Sequence, residues 1–141
     1  MRRSKSGVDY ERHLVREAWD AGLFALRAAG SGSGTSAYPK PDILIFGPGG
    51  VVDVVQVKTT KKERLRLGPD AWADEMLIVN RLRELGFRAR AWLFIRMSGA
   101  RRAVEARIRL DGHEGDILIV ERGAEGGSVV FTWESGEKKV G

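Results

Sequence analysis

The chain has 141 residues, of which 24 are Lys or Arg and 19 are Asp or Glu, so its formal net charge is +5 and an anionic partner such as nucleic acid is favoured. It contains no cysteine, which excludes disulfides, thiolate metal sites and cysteine nucleophiles and fits an intracellular protein. The length predicts one domain, and no apolar run approaches the roughly 20 residues that span a bilayer, so we expect a cytoplasmic protein without a membrane partner.

The first predicted element is a helix that ends at Gly22. Ser6 is its candidate cap, and apolar residues then recur at helical spacing, namely Val8, Leu14, Val15, Ala18 and Trp19. Glu11 lies on this apolar stripe rather than on the polar face. A carboxylate on a buried edge needs a partner, so Glu11 is a candidate metal ligand, with an ion pair to an arginine as the simpler alternative.

A short strand is predicted over residues 23–28, followed by a loop rich in glycine and serine. Strands over residues 42–46 and 51–59, joined by a tight turn at 47–50, then form a predicted antiparallel hairpin at the centre of the sheet. Alternation along the second strand places Gln56 and Lys58 on one face. A register that sets Asp42 beside Gln56 would gather a carboxylate, an amide oxygen and an ammonium group.

These three groups suit phosphodiester cleavage. Magnesium is a hard ion that takes oxygen ligands, and it can polarise a phosphate and supply hydroxide. A neighbouring lysine can orient or deprotonate water, or offset charge in the transition state.

A run of basic residues follows the hairpin: Lys58, Lys61, Lys62, Arg64 and Arg66. Phosphate contacts need cations without base-specific geometry, so this run is a candidate DNA-binding surface. The alternative is a solvated face that binds nothing. Arg12 of the first helix is either a further phosphate contact or a surface residue.

The second half of the chain predicts a helix from about residue 71 to 85 and a strand over residues 88–97. On that strand Trp92 and Phe94 are expected in the core, or in an outward patch that makes a subunit contact. Further strands are predicted over 104–110, 117–120 and 129–131, and these either extend the sheet or build a subunit contact. The order of elements predicts an α/β fold with a mixed sheet whose strands are mostly antiparallel.

Five segments carry a family resemblance: Glu11-Arg12, Arg27 with the following Ala-Ala-Gly-Ser-Gly-Ser, Pro41-Asp42-Ile43, Gln56-Val57-Lys58, and the trailing Thr-Thr-Lys-Lys. In order and spacing they resemble the archaeal Holliday-junction resolvases of the PD-(D/E)xK nuclease superfamily. The resemblance covers about residues 7–98. It implies a restriction-endonuclease-like core, a mixed central β-sheet flanked by helices, within a single nuclease domain over residues 1–141, in which the role of 101–141 stays open.

The resemblance also implies an activity. A resolvase of this kind is a homodimeric, nucleoid-associated endonuclease that binds four-way DNA junctions by their shape. It cuts two opposed strands in recombination and repair, with Mg²⁺ as the cofactor and Mn²⁺ as a substitute.

Residue roles are carried over from the same resemblance. It implies that Glu11, Asp42 and Gln56 surround the metal and that Lys58 acts at the attacking water. A serine of the loop assists catalysis, with Ser31 as the candidate and Ser33 as its rival. Five residues are the candidates for contacting DNA: Arg12, Arg27, Lys61, Lys62 and Arg64.

One position departs from the family pattern, because the family usually has glutamate where this chain has Gln56. An amide oxygen can bind a metal but brings no charge, and Asp53 cannot replace it because alternation sends Asp53 to the opposite face. Two other functions therefore stay open. One is a different nuclease of the same fold acting on duplex or flapped DNA, and the other is a DNA-binding module with weakened catalysis. Retention of Glu11, Asp42 and Lys58 favours an enzyme.

Overall fold

The computed structural model describes residues 5–28, 38–99 and 101–136, and it describes residues 5 and 6 by their backbone alone. Within these ranges the helices and strands are α1 (Lys5–Asp20), β1 (Phe24–Arg27), β2 (Ile43–Gly47), β3 (Val51–Thr60), β4 (Arg64–Leu67), α2 (Ala73–Glu84), β5 (Arg88–Met97), β6 (Val104–Arg109), β7 (Ile117–Arg122) and β8 (Val129–Glu134). None of the helices in these ranges is long and apolar enough to cross a membrane. The first helix starts one residue before Ser6, which is therefore not its cap.

The central sheet has five strands in the order β1-β2-β3-β5-β6. Its strands pair antiparallel except β3 and β5, which run parallel with Val51 opposite Arg88 and Thr60 opposite Met97. Parallel neighbours need a long crossover connection, and the chain between them contains α2. The predicted mixed sheet and the central hairpin are both confirmed.

Strand β3 is buried on both faces, because successive side chains point to opposite sides of the sheet. Val52 and Val54 share one core cluster with Val79 of α2. Val55 shares the other cluster with Leu14 of α1. The two helices therefore cover opposite faces of the sheet, and the polar residues near the end of β3 lie between them.

The side chains of Trp92 and Phe94 both pack against the α1 core. Phe94 is only 5% exposed, and Trp92 packs against the same cluster. The core interpretation is confirmed for Phe94, for which the outward patch is wrong, whereas Trp92 is only partly buried. The physical reason is that α1 covers this face of β5 as well as β3.

Strands β4, β7 and β8 form a second, antiparallel sheet. Leu118 and Val120 of β7 are buried in the same cluster as α2. Strands β7 and β8 thus add a separate layer, whereas β6 lengthens the central sheet, as was one expectation for the C-terminal strands. Strand β4 was not predicted, because the charges of Arg64 and Arg66 obscured its alternating pattern.

Candidate active site

Asp42 lies directly before β2, and its side chain lines the same pocket as that of Gln56. Its backbone N–H donates to the Val55 carbonyl at 3.2 Å, one residue beyond the last β2–β3 pair, that of Ile43 with Val55. The side-chain Oδ2 accepts a hydrogen bond of 2.8 Å from the backbone N–H of Val57. The Asp42 carboxylate therefore has a fixed direction at the end of the β2–β3 pairing.

Burial raises the pKa of Asp42, and the nearby negative charge of Glu11 raises it further. The Val57 N–H and the Arg27 guanidinium act in the opposite direction but do not cancel these effects. The ionised form of Asp42 is therefore less stable in the folded protein than that of an aspartate in water. A cation beside it would stabilise the ionised form.

Glu11 is held by an arginine. Its Oε1 accepts a hydrogen bond of 2.8 Å from Nε of Arg27, and both side chains are mostly buried. The structure therefore shows the ion pair that was the simpler alternative for Glu11. The pair also engages the Arg27 guanidinium that was expected to contact phosphate. Glu11 still lies close enough to affect the Asp42 carboxylate electrostatically.

A pocket of about 270 Å³ opens beside Asp42 on the α2 side of the sheet. Its lining is strongly acidic and consists of Lys40, Asp42, Gln56, Asp70, Ala71, Asp74 and Glu75. The Gln56 amide nitrogen donates to Glu75, at 2.7 Å from Oε2 and 3.2 Å from Oε1, in the amide orientation that satisfies both groups. Asp42 and Gln56 are thus brought together as expected, and a third residue joins them.

Glu75 was not predicted, although its sequence position contains a usable signal. It lies three residues after Trp72 and four before Val79, both of which are buried. Residues at these spacings share one helix face, so Glu75 belongs to the buried side of α2. Glu75 is thus a carboxylate on the buried side of its helix, as Glu11 is on the apolar stripe of the first helix.

Lys58 lies at the exposed end of β3, outside the residues that line the acidic pocket. It shares its strand face with Gln56, but it makes no ion pair with any residue in the described ranges. Its ammonium group is thus available to a bound phosphate or water.

The other basic candidates differ in their availability. Arg12, Lys61 and Lys62 are exposed and form no ion pair within the described part of the chain. Arg64 pairs with Glu121 at 3.2 Å, but both side chains are about half exposed, so the pair opposes phosphate binding only weakly. Ser31 and Ser33 lie outside the described residues.

No group of three or more His, Asp or Glu side chains is placed to hold a metal within residues 5–28, 38–99 and 101–136. The acidic pocket instead combines the carboxylates of Asp42 and Glu75 with the neutral amide of Gln56. Oxygen donors of this kind suit a hard divalent cation better than a soft one.

A model of the archaeal Holliday junction resolvase family, Hjc, matches residues 2–129. The chain belongs to this family. The crossover junction endodeoxyribonuclease Hjc of Archaeoglobus fulgidus is 35% identical over 91 residues, which are 64% of this chain and 61% of that relative. The chain therefore spans less than two thirds of the length of the curated resolvase that it matches.

A solved structure confirms the relationship at the level of the fold. The chain matches Archaeoglobus fulgidus Hjc, described as a Holliday junction resolvase from an archaeal hyperthermophile, with a TM-score of 0.54 and 29% identity. The match covers 83% of this chain and 80% of the other. The expected resolvase family and its restriction-endonuclease-like α/β fold are both confirmed.

Proposed function

We propose that this chain is a structure-selective endonuclease that binds four-way DNA junctions and cuts two opposed strands by metal-dependent hydrolysis. The observation that carries the proposal is that Asp42 and Gln56 line one acidic pocket, with Lys58 two residues beyond Gln56 on strand β3. Membership of the resolvase family supports the junction as the substrate. Such an enzyme would act in the recombination and repair of chromosomal DNA. We therefore also propose a cytoplasmic, nucleoid-associated location.

The donor atoms fit Mg²⁺, with Mn²⁺ as a substitute, because they are carboxylate and amide oxygens. Asp42 and Gln56 would hold the metal, which when bound lowers the pKa of water and offsets charge on the scissile phosphate. The Val57 N–H fixes the direction of the Asp42 carboxylate. Lys58 orients the attacking water or stabilises the developing negative charge. Glu11, restrained by Arg27, adds negative charge near Asp42.

The free cations on the surface supply the DNA contacts in this proposal. Arg12, Lys61 and Lys62 bind phosphates, which gives affinity without base-specific recognition. Arg64 joins them when its exposed pair with Glu121 opens. Arg27 contacts DNA only if its guanidinium leaves Glu11 and binds a phosphate instead. Ser31 is still proposed to assist catalysis.

We further propose that the active enzyme is a homodimer. Two opposed strands must be cut at equivalent positions, which requires two catalytic centres related by two-fold symmetry. One chain contributes one Asp42–Gln56 site. Light scattering of the purified protein, alone and with a junction, measures the number of chains present.

The proposed activity is tested with a labelled four-way junction and a linear duplex of the same sequence, each in Mg²⁺ and in EDTA. We expect junction cleavage that needs the metal. Asp42→Asn should lower its rate by at least about 100-fold, because a lost metal carboxylate removes several kcal/mol of transition-state stabilisation. Asp20→Asn, which makes the same charge change at an exposed position of α1, should leave the rate unchanged.

The same assay separates the alternatives. Equal cutting of the linear duplex would indicate a different nuclease of this fold. Tight junction binding without cleavage would indicate a DNA-binding module with weakened catalysis.

A further inference from the structure

Glu75 is a buried acid without a cationic partner. Glu75 and Arg122 are the two buried charged residues in the described part of the chain, with exposures of 2% and 7%. Arg122 donates hydrogen bonds to four backbone carbonyls, whereas Glu75 forms no ion pair with any described residue. Carboxylates are seldom buried unless they are paired or bind a metal. The position of Glu75 therefore needs an explanation beyond packing.

Its side-chain neighbour is the residue at which this chain departs from its family. The Gln56 amide nitrogen contacts both Glu75 oxygens, at 2.7 and 3.2 Å. A glutamate at position 56 would set two carboxylates against each other at this distance, which strongly disfavours ionisation of both. An amide at position 56 removes that repulsion. The neutral residue at 56 and the buried acid at 75 are thus chemically complementary.

The same contact directs the rest of the Gln56 side chain. When the nitrogen of an amide faces a carboxylate, its carbonyl oxygen points away from that carboxylate. Asp42 lines the same pocket as these two residues, and its negative charge helps to raise the pKa of Glu75, so the two carboxylates interact. A divalent cation in the pocket would offset the repulsion between them.

We propose that Glu75 supplies the negative charge that position 56 lacks, so that Asp42, Gln56 and Glu75 together form the oxygen set that binds the divalent metal. The inference rests on the proposed function, since it assigns a ligand to the metal of the same site. In this arrangement the charge of the site is preserved, but one carboxylate comes from helix α2 instead of strand β3.

The proposal is tested by transferring the carboxylate from position 75 to position 56. Mn²⁺ binding to the protein without DNA is measured by titration calorimetry for the wild type, Glu75→Gln and the double variant Gln56→Glu/Glu75→Gln. We expect Glu75→Gln to weaken Mn²⁺ binding by about tenfold or more, since the charge of the ligand set governs affinity. The double variant should return to within about threefold of the wild type, because it restores the number of carboxylates.

Glu84→Gln is the matched control, because Glu84 lies on the same helix, is exposed and pairs with Arg81. It should bind Mn²⁺ as the wild type does. Equal Mn²⁺ affinity of Glu75→Gln and the wild type would overturn the proposal. A double variant that binds no more tightly than Glu75→Gln would also overturn it, because a carboxylate at position 56 would then not replace the one removed at position 75.

A measurement on the unaltered protein covers the case in which a variant does not fold. Carbon NMR follows the side-chain carboxyl signals of Asp42 and Glu75 during titration with Mg²⁺. Both should shift with the same midpoint, and a Glu75 signal that stays fixed while that of Asp42 moves would overturn the proposal. Because neither measurement uses DNA, failure to cut a junction contradicts the proposed function and leaves this inference standing.

Discussion

At the scale of single residues, the molecule places an uncompensated acidic pair at the edge of its central hairpin. Asp42 is held by the Val57 N–H, and Glu75 is held by the Gln56 amide. Neither carboxylate forms an ion pair with a lysine or arginine among the residues described. Folding therefore has an electrostatic cost at this place, and a bound cation would reduce it.

The electrostatic cost of burying Glu75 predicts how the free energy of unfolding depends on pH when no metal is bound. Burial, with added repulsion from Asp42 and Asp74, raises the pKa of Glu75 from 4.5 to about 8 in the folded protein. Between these values the folded chain retains a proton that the unfolded chain has released. The free energy of unfolding should therefore fall as pH rises, by up to about 1.4 kcal/mol per pH unit from this residue.

Denaturant unfolding in EDTA, between about pH 5 and about pH 8, measures this effect when the wild type is compared with Glu75→Gln. Other titrating groups are common to the two proteins, so their difference isolates Glu75. The wild type should lose stability relative to the variant as pH rises. A difference that stays constant over this range would show that Glu75 is already ionised in the folded, metal-free protein.

The sequence predicted one half of this pair and missed the other. The proximity of Asp42 to Gln56 follows from strand alternation and a short hairpin turn, both of which are local features. The contact between Gln56 and Glu75 depends on where a long crossover sets α2 against β3, and no local pattern specifies that distance. The buried position of Glu75 on its helix was predictable, but its partner was not.

At the scale of elements, the turn after β3 presents Lys61 and Lys62 and is packed against the end of β5. Ser98 N–H donates to the Thr60 carbonyl at 2.8 Å. Gly99 has a φ of +111°, and a Cβ added there would lie 2.9 Å from the Lys61 carbonyl oxygen. The position of these two lysines therefore depends on a glycine that follows β5.

We predict that Gly99→Ala weakens junction binding as well as stability. The left-handed backbone costs an alanine about 1–2 kcal/mol, and the contact with the Lys61 carbonyl displaces the turn. Gly112→Ala is the control, because Gly112 has a φ of +87° with nothing near its added Cβ. Gel-shift titration at fixed salt should show weaker binding for Gly99→Ala alone. Equal affinities of the two variants would contradict the role of this turn in binding DNA.

Helices and strands were largely predictable where their apolar residues recur at a single clear spacing, helical or alternating. The helix predicted from about residue 71 to 85 and the strand predicted over residues 88–97 are both confirmed, as α2 (Ala73–Glu84) and β5 (Arg88–Met97). Strand β4 was missed because it has only four residues and two are arginines. Its burial depends on pairing with β7, which lies about fifty residues later in the chain, so the sequence near β4 contains little information about it.

At the scale of the whole molecule, one buried arginine joins the second sheet to the central one. Arg122 of β7 donates to backbone carbonyls beyond its own strand, those of Met97, Ser98, Arg102 and Gly126. It also pairs with Glu63 at 3.2 Å. The two sheets are thereby fixed relative to each other at the end that presents the Lys61–Lys62 turn.

Replacing this residue should destabilise the protein strongly. Arg122→Met keeps much of the side-chain volume but leaves four carbonyls without their donor, at an expected cost of about 3 kcal/mol or more. Arg66→Met removes an arginine of the same sheet whose pair with Glu134 is exposed, and it should cost less than about 1 kcal/mol. Chemical denaturation of both variants gives the comparison. Equal stabilities would show that Arg122 does not hold the sheets together.

The positions of the charges show which of the basic residues behind the net charge of +5 are free to bind an anionic partner. Many arginines are neutralised in place, for example Arg90 by Asp53 and Arg96 by Glu105. Composition alone predicted an anionic partner without locating the surface. In the structure, Lys61 and Lys62 after β3 form no ion pair with any described residue, and we propose them as phosphate contacts beside the catalytic centre.

Junction resolution is tested most directly by mapping the incisions on a four-way junction in which each strand is labelled in turn. We predict two incisions in Mg²⁺, at symmetric positions on opposed strands, and none with Asp42→Asn. Equal incision of all four strands, or the same incisions at the same rate in linear duplex, would contradict the assignment of this chain as a junction-resolving endonuclease.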